Sequence, residues 1–237
     1  MRTRADDNSP RAERPLWIDV LIRLAVSATI VAVVTHVLVR PFAIPSASME
    51  PTLMTGDRVV AKVWPGADEV GRGDVVVFGH GETWDDDRLD DDGNLVTTVV
   101  RTGGDILGFG PSHQSHTVKR VVGLPGERVE CCDTEGRVTV DGEPLDEPYL
   151  EPARDLPFDP AVGCDGTAPS PRCFPEVTVP AGSLLVLGDN RAKSSDSVTA
   201  CRVAGADGTS CARLVPEERV VGQLGWRVWP MPPGGID

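Results

Sequence analysis

One long apolar stretch, residues 16–39, constrains this chain more than any other feature of its sequence. As a helix rising about 1.5 Å per residue it would be about 36 Å long, enough to cross a bilayer core of about 30 Å. Positive residues collect on the cytoplasmic side of membrane spans. Four precede this stretch, namely Arg2, Arg4, Arg11 and Arg14. We therefore expect a cytoplasmic tail over 1–15, a single-pass anchor over 16–39 and an extracytoplasmic domain over 41–237.

A cleavable signal peptide is the alternative interpretation of the same segment. Ser46-Ala47-Ser48 offers small residues at a spacing typical of a cleavage site. Two features favour an anchor that stays in place. The apolar core is long for a signal peptide, and Pro41 and Pro45 separate it from the small residues.

After Pro41, β-branched residues are concentrated in short segments bounded by Gly, Pro or Asp. This pattern is typical of β-strands. The segments lie at 58–64, 74–79, 116–124, 137–142, 176–180, 183–189 and 218–230. No segment after the anchor has a convincing helical period, and 99–109 fits either a short helix or a loop on the membrane surface. The prediction is a mostly β domain behind one transmembrane helix.

Three stretches between these strands are interpreted as insertions, near 79–115, 151–175 and 199–213. The first is acidic, but Arg88 and Leu89 interrupt the ligand spacing of a calcium loop, so a solvated loop is expected. The net charge of −13 argues against nucleic acid as a partner.

The six cysteines are even in number, and none has the spacing of a zinc site, so no metal is expected. Cys164 with Cys173, and Cys201 with Cys211, each bracket a short loop, which predicts two disulfides in an exported domain. Adjacent strand residues point to opposite faces, so Cys131 and Cys132 would diverge and one thiol would be buried and inert. Sequence leaves fifteen pairings open.

A serine nucleophile needs a neighbouring base, and none of the four histidines has an obvious partner motif. A lysine serves if its amine is neutral, and apolar burial lowers its pKa. Lys119 lies in such a setting, among Val118, Val121 and Val122. The competing interpretation makes Lys119 a surface residue at a strand edge.

Three blocks of sequence together resemble the type I signal peptidase family of membrane-anchored serine endopeptidases with a Ser/Lys dyad. They are "FAIPSASMEPTLMTGD" (42–57), "TVKRVVGLPGE" (117–127) and "GDNRAKSSDS" (188–197). The resemblance implies that Ser48 is the nucleophile and Lys119 the general base. It also implies that the Ser46 hydroxyl and the Ser48 backbone N–H bind the oxyanion. No cofactor is implied.

The third block is expected to support the dyad. By resemblance, Ser194 holds the Lys119 amine in place, Asp189 pairs with Arg120, and Asp196 belongs to the same supporting group. The family pattern continues with an arginine where this chain has Val198. An ion pair to Asp196 is therefore lost, or it is supplied by another arginine. The candidates are Arg191, Arg202 and Arg213.

The resemblance implies precursors bearing signal peptides as substrates, with small residues before the cut, at the plasma membrane. An extended substrate would lie along the strand edges near 45–48 and 116–119. Ala43, Ile44, Pro45 and Val118 are candidates for pocket walls or for plain core. The lipid bilayer is the other expected partner, and a monomer is expected. Two alternatives are a self-processing Ser/Lys peptidase and a catalytically impaired, membrane-anchored binding domain.

Overall fold

The computed structural model describes residues 15–63, 70–80, 84, 95–107, 116–164, 168–230 and 234–236. An apolar helix precedes a domain built from two antiparallel sheets, so the prediction of a mostly β fold behind one N-terminal helix is confirmed. Nearly all of the tail predicted over 1–15, and most of the acidic insertion, lie outside the described residues.

The first helix, α1, spans Leu16–Val37. Its segment Leu16–Val34 has a mean hydropathy of 2.1 and none of it is buried inside the protein, and among the described residues it is the one helix long and apolar enough to cross a membrane. The helix ends before the predicted residue 39. Arg40 precedes a proline, a position that favours extended backbone, and Val39 already begins a strand.

The remaining helices are α2 at Leu95–Leu107 and α3 at Gly208–Cys211. In chain order the strands are β1 (Val39–Ala43), β2 (Arg58–Val63), β3 (Val75–Gly79), β4 (His116–Gly123), β5 (Arg128–Cys131), β6 (Val138–Val140), β7 (Glu143–Pro144), β8 (Phe174–Thr178), β9 (Ser183–Leu187), β10 (Val215–Pro216), β11 (Val220–Trp229) and β12 (Gly234–Gly235). Every predicted strand segment contains or overlaps one of them. Missed were β1, which begins at the last residue of the apolar run, and β5, β7, β10 and β12, which are too short to show an alternating pattern.

The large sheet has eight strands in the order β1-β2-β11-β3-β4-β9-β10, with β12 paired to β11. The small sheet has four, in the order β7-β6-β5-β8. The chain passes from one sheet to the other after β4, where Gly123 lies very close to its neighbours. A Cβ at that position would approach the Val129 side chain to 2.7 Å, so only glycine fits there.

Helix α2 decides between the short helix and the loop that the sequence left open for 99–109, although no convincing helical period was seen after the anchor. Its apolar side chains recur at helical spacing, and they are exposed: Leu95, Val96, Val99 and Val100. Thr97, Thr98 and the pair Gly103-Gly104 are poor helix formers, which concealed the periodicity in the sequence. The helix covers most of the ambiguous stretch 99–109 and contacts α1.

Three groups of buried side chains form the core. One packs under the loop after β1, including Met49, Leu53, Val77 and Leu224. A second lies on the other face of β3 and β4, around Phe78 and Val121. The third joins the two sheets. Its members include Val129, Val138, Phe174, Val177, Leu185, Leu187 and Val198.

The predicted pairs Cys164–Cys173 and Cys201–Cys211 lie at disulfide distance, with S–S separations of 2.06 and 1.96 Å. Cys131 and Cys132 are also bonded to each other, which corrects the expectation that they diverge. That expectation assumed a continuous strand, but β5 ends at Cys131, so strand alternation does not govern Cys132. Within the described residues, the one group with metal-ligand proximity is made of Cys132, Cys164 and Cys173. Their sulfurs are all engaged in disulfides.

Candidate active site

Ser48 lies in a short 3-10 turn, Ala47–Met49, that follows β1. Met49 and Leu53 are buried in the core beneath it, so the turn is anchored on its apolar side. Asn190 holds the other side. Its backbone N–H donates to the Ser48 carbonyl at 3.1 Å, and its side-chain amide donates to the Ala47 carbonyl at 3.0 Å. The Ser48 side chain is therefore held in one place at the edge of the large sheet.

Lys119 reaches Ser48 from β4. Its amine donates to Ser48 Oγ at 2.8 Å and to the Val118 carbonyl at 3.1 Å. The side chain is only 3% exposed, which rules out the interpretation of Lys119 as a surface residue. Burial lowers the pKa of Lys119 to about 8, against the opposing charges of Asp196 and Asp189. Arg213 acts in the same direction as burial. A neutral amine beside a serine hydroxyl has the chemistry of a nucleophile and its base.

Ser46 lies beside the same pair. Its hydroxyl donates to Ser48 Oγ at 3.3 Å. The structure thus brings Ser46, Ser48 and Lys119 together.

Arg120 and Asp189 form the predicted ion pair, which is bidentate and fully buried. The guanidinium Nε and Nη2 donate to the two Asp189 oxygens at 3.0 and 2.8 Å. Thr52 also donates to Asp189 at 2.5 Å, and Arg120 Nη1 donates to the Gly73 carbonyl at 2.7 Å. The pair therefore ties three segments together: the loop after Ser48, strand β4 next to Lys119, and the segment after β9.

Ser194 is buried next to the dyad. Its Oγ and the Ser48 carbonyl lie 2.2 and 2.5 Å from where a Cβ on Gly188 would be, so only glycine fits between them. The expected bond from Ser194 to Lys119 is not formed, and within the described residues the Ser194 hydroxyl has no hydrogen-bond partner. The Lys119 amine is occupied by Ser48 Oγ and the Val118 carbonyl instead.

Asp196 is fully buried, and Arg202 supplies its cation. Arg202 Nη1 lies 3.3 Å from Asp196 Oδ1. The other two candidates are engaged elsewhere: Arg191 pairs with Glu147, and Arg213 stacks on Trp84. Arg202, from the loop that follows, therefore supplies the ion pair to Asp196 that the family's arginine would make at the position of Val198. The absence of that arginine was the one sequence feature that pointed to an impaired domain.

A cleft of about 370 Å³ opens at the dyad. All four predicted wall residues line it: Ala43, Ile44, Pro45 and Val118. Ile44 belongs to the core as well, so both interpretations of that residue hold. Thr117 to Lys119 pair with β3 on one edge, whereas β9 pairs with β4 only from Arg120 onward. The described strands thus leave the second edge of Thr117 to Lys119 without a strand partner.

Residues 17–229 match the family described as "Signal peptidase, peptidase S26". The chain belongs to this family. It is 34% identical to the "Probable signal peptidase I" of Mycobacterium leprae, over 94% of this chain and 79% of that protein. It is 35% identical to a "Signal peptidase I" of Mycobacterium tuberculosis, over 94% of this chain and 77% of that protein. A "Signal peptidase IB" of Staphylococcus aureus is 31% identical, over 90% of this chain and 88% of that protein.

The resemblance inferred from the three sequence blocks is therefore confirmed, and the chain is a serine peptidase. Membership of this family argues against the alternative of a self-processing Ser/Lys peptidase of another family.

Several residues of the cleft wall were not predicted to lie there, and the polar or aromatic ones among them include His80, Trp84, Lys193, Ser195 and Arg213. Trp84 is buried, packs edge-on against Phe78 and donates its indole N–H to the Leu214 carbonyl at 3.3 Å. A single tryptophan in an otherwise acidic run was the available signal, because such a residue seldom stays in water. His80 bonds Thr117 through Nε2. Arg213 was named only as a possible partner of Asp196, and nothing in the third block marked Lys193 or Ser195 as part of the cleft wall.

Proposed function

We propose that this chain is a membrane-anchored serine endopeptidase that removes N-terminal signal peptides from exported precursors, with Ser48 as nucleophile and Lys119 as general base. The observation that carries the proposal is the 2.8 Å contact between a buried lysine amine and a serine hydroxyl in a cleft with a free strand edge. Burial favours the neutral amine that a lysine base requires.

The reaction follows from the positions of these groups. Neutral Lys119 takes the Ser48 proton as Oγ attacks the scissile carbonyl. The Ser46 hydroxyl and the Ser48 backbone N–H donate to the resulting oxyanion, and one such donor is worth about 3–4 kcal/mol. The Lys119 ammonium then protonates the leaving amine, which is the new N-terminus of the mature protein. Lys119, neutral again, deprotonates a water that hydrolyses the acyl-enzyme and regenerates Ser48.

The supporting residues hold these catalytic groups in position. The Arg120–Asp189 pair fixes β4 against the Ser48 loop. The negative charge of Asp196 raises the pKa of Lys119, and the Asp196 side chain is buried away from water. Ser194 is buried with an unsatisfied hydroxyl beside the Ser48 carbonyl. We assign it the role of a second acceptor for the Lys119 amine, taken up when Ser48 Oγ leaves that amine to attack the substrate.

A signal peptide would bind as an added strand along Thr117–Lys119. Backbone bonds of this kind supply affinity, and shallow pockets between the side chains select small residues before the cut. The walls available for those residues are apolar, from Phe42, Ile44, Pro45, Met49 and Val118.

Helix α1 is proposed to span the plasma membrane, with residues 1–15 in the cytoplasm and 41–237 outside. Strand β1 follows it directly and pairs along its whole length with β2. Cleavage after Ser48 would remove that strand together with the nucleophile, so the structure favours an uncleaved anchor. Precursor and enzyme would then share one bilayer, which raises their effective concentration. We expect the enzyme to act as a monomer.

Cleavage of a model precursor by the full chain in detergent tests the proposal. Ser48→Ala should abolish cleavage and leave the thermal melting temperature near that of the parent. Ser183→Ala, on β9 and outside the cleft, is the matched control and should cleave normally. Full activity of Ser48→Ala would refute the assignment.

The anchor is tested by a chain that begins at Leu38, which keeps β1 intact. It should fold and cleave short soluble peptides, with a larger deficit on precursors inserted in vesicles. An equal deficit on both substrates would assign α1 to folding rather than placement. A mature protein that begins at Met49 in cells would show that α1 is a cleaved signal peptide.

A further inference from the structure

Asp196 depends on a cation for its burial. A carboxylate removed from water costs several kcal/mol unless it is paired and hydrogen-bonded. Asp196 is fully buried and accepts bonds from the Val198 N–H at 3.3 Å and the Thr199 hydroxyl at 3.0 Å. Arg202 completes the shell, with Nη1 at 3.3 Å from Oδ1 and Nη2 at 3.4 Å from Oδ2. Arg202 therefore balances the negative charge that faces Lys119.

A second arginine enters the cleft itself. Arg213 places its guanidinium over the Trp84 ring at 4.6 Å, and its Nη2 donates to Ser195 Oγ at 2.6 Å. Its backbone N–H donates to the Ser197 carbonyl at 2.8 Å, and Ser197 exchanges bonds with Val186 on β9. The Arg213 side chain lines the same cleft as Lys119. Trp84 and Ser195 hold its guanidinium, and Ser197 holds its backbone.

Both arginines lie in or directly next to one loop that is closed by a disulfide. Arg202 directly follows Cys201, and Arg213 lies two residues after Cys211. The Cys201–Cys211 disulfide holds the two ends of the loop at a Cα separation of 5.0 Å. The loop is seated on the small sheet through α3, since a Cβ on Gly208 would lie 2.0 Å from the Glu176 carbonyl oxygen. The disulfide thus gives both arginines a common, fixed base.

We propose that Arg202 and Arg213 are positioning residues for the Ser48–Lys119 pair, and that the Cys201–Cys211 disulfide holds them in place. The inference rests on the proposed function of that pair. Neither arginine exchanges a proton with the substrate. Arg202 acts through Asp196, and Arg213 acts through its charge and its position in the cleft wall.

The sign of the effect follows from the charges around Lys119. Burial and Arg213 lower the pKa of Lys119, whereas Asp196 and Asp189 raise it. Asp189 is already neutralised by Arg120, and the other titratable groups that line the cleft are His80, His116 and Lys193. Loss of Arg202 leaves the Asp196 charge unbalanced, and loss of Arg213 removes a cation. Both changes favour the protonated amine, so less of the base is available at a given pH.

The test is the pH dependence of kcat for a soluble peptide, measured with the full chain in detergent. Arg202→Gln and Arg213→Gln should each move the rising limb to higher pH by about half to one pH unit, since the base is harder to deprotonate. At pH 7 that is a loss of about three- to tenfold, which is recovered at high pH. Arg202→Lys and Arg213→Lys keep the charge and should stay near the parent midpoint. Arg137→Gln, on the exposed side of the small sheet, is the matched control.

The disulfide is tested by Cys201→Ser/Cys211→Ser, which should move the midpoint in the same direction. Cys164→Ser/Cys173→Ser removes the other disulfide that closes a short loop and should leave the midpoint unchanged. If the first double variant does not fold, the arginine variants decide alone.

An unchanged midpoint in both glutamine variants, or a fall in kcat that is equal at every pH, would overturn the inference. Activity retained by Ser48→Ala would instead overturn the proposed function, so the two failures are distinguishable.

Discussion

The two sheets differ in what they carry. The large sheet holds Lys119 on β4 and presents Ser48 from the turn after β1, and within the described residues it contains no disulfide. The small sheet holds none of the proposed catalytic residues, yet all three disulfides lie on or beside it. Its strands are two to five residues long and share one core group with the large sheet. The disulfides are thus concentrated in the part of the domain that has the shorter strands.

The large sheet has two core groups of its own and the buried Arg120–Asp189 pair, whereas the small sheet shares its core group with the large sheet and adds the disulfides. Substitutions of the dyad should therefore affect chemistry, loss of the buried ion pair should affect stability strongly, and loss of the Cys164–Cys173 disulfide should affect stability while sparing chemistry. Four measurements test this division.

The largest effect is expected for Lys119→Arg. Arginine keeps the positive charge but cannot become a neutral base, so cleavage should fall by about a thousandfold or more. Lys62→Arg on the exposed side of β2 is the control and should cleave normally. The measurement is single-turnover cleavage of a precursor at pH 8. Near-normal turnover by Lys119→Arg would mean that another group is the base.

Asp189→Asn should destabilise the large sheet strongly, because it leaves Arg120 buried without its anion. Breaking such a pair costs about 3–5 kcal/mol. Denaturant unfolding, followed by tryptophan fluorescence, measures this loss of free energy of unfolding. The comparison is Asp133→Asn, which removes the ion pair with Arg137 at the surface of the small sheet and should shift the midpoint far less. Equal shifts would remove the distinction between the two sheets.

Cys164→Ser/Cys173→Ser should lower stability and spare catalysis. A disulfide that closes a loop of this length contributes about 2–3 kcal/mol in the chain-entropy model. Unfolding measured with the parent and the double variant gives the stability difference, and kcat per folded molecule should match that of the parent. A matching loss of kcat would show that the small sheet shapes the active site at this loop too.

The smallest effect is the pH response of the parent enzyme. The pKa of Lys119 is lowered to about 8, so deprotonation of this group should produce the rising limb of the kcat profile. The neutral fraction grows from about a tenth at pH 7 to about a half at pH 8, a gain of about fivefold. Stopped assays across pH 6 to 10 measure it. A limb centred near pH 10 would mean that burial does not tune the base.

The sequence predicted the strands with long β-branched runs, such as β3 and β11, because their side chains alternate or are buried on both faces. It also predicted that Ser48 and Lys119 lie together and that Arg120 pairs with Asp189, because these residues lie in short blocks of local sequence. It missed β1, because this five-residue strand follows directly on the apolar helix and contains Arg40 and Pro41. It left most of α2 open between a helix and a loop, because Gly and Thr compete with its helical spacing.

The site residues that sequence did not resolve are those brought in by tertiary packing. Arg202 reaches Asp196 from the loop that the Cys201–Cys211 disulfide closes, and the sequence did not choose among Arg191, Arg202 and Arg213. Trp84 and Arg213 are 129 positions apart in the sequence and meet as a stacked pair in the cleft wall. Contacts of this kind leave no periodic or local signal, since they depend on how the two sheets are set together.

Leu38 alone separates the last residue of α1 from the first residue of β1. With α1 spanning the bilayer as proposed, so short a junction leaves no hinge, and β1 is locked to β2 over its full length. On that proposal, Ser48 is held at a fixed height above the lipid. The bond that is cut would then be selected by its distance from the membrane as much as by its neighbouring residues. A precursor whose apolar core is extended by one helical turn would carry its small residues beyond Ser48, with the local sequence around the bond unchanged.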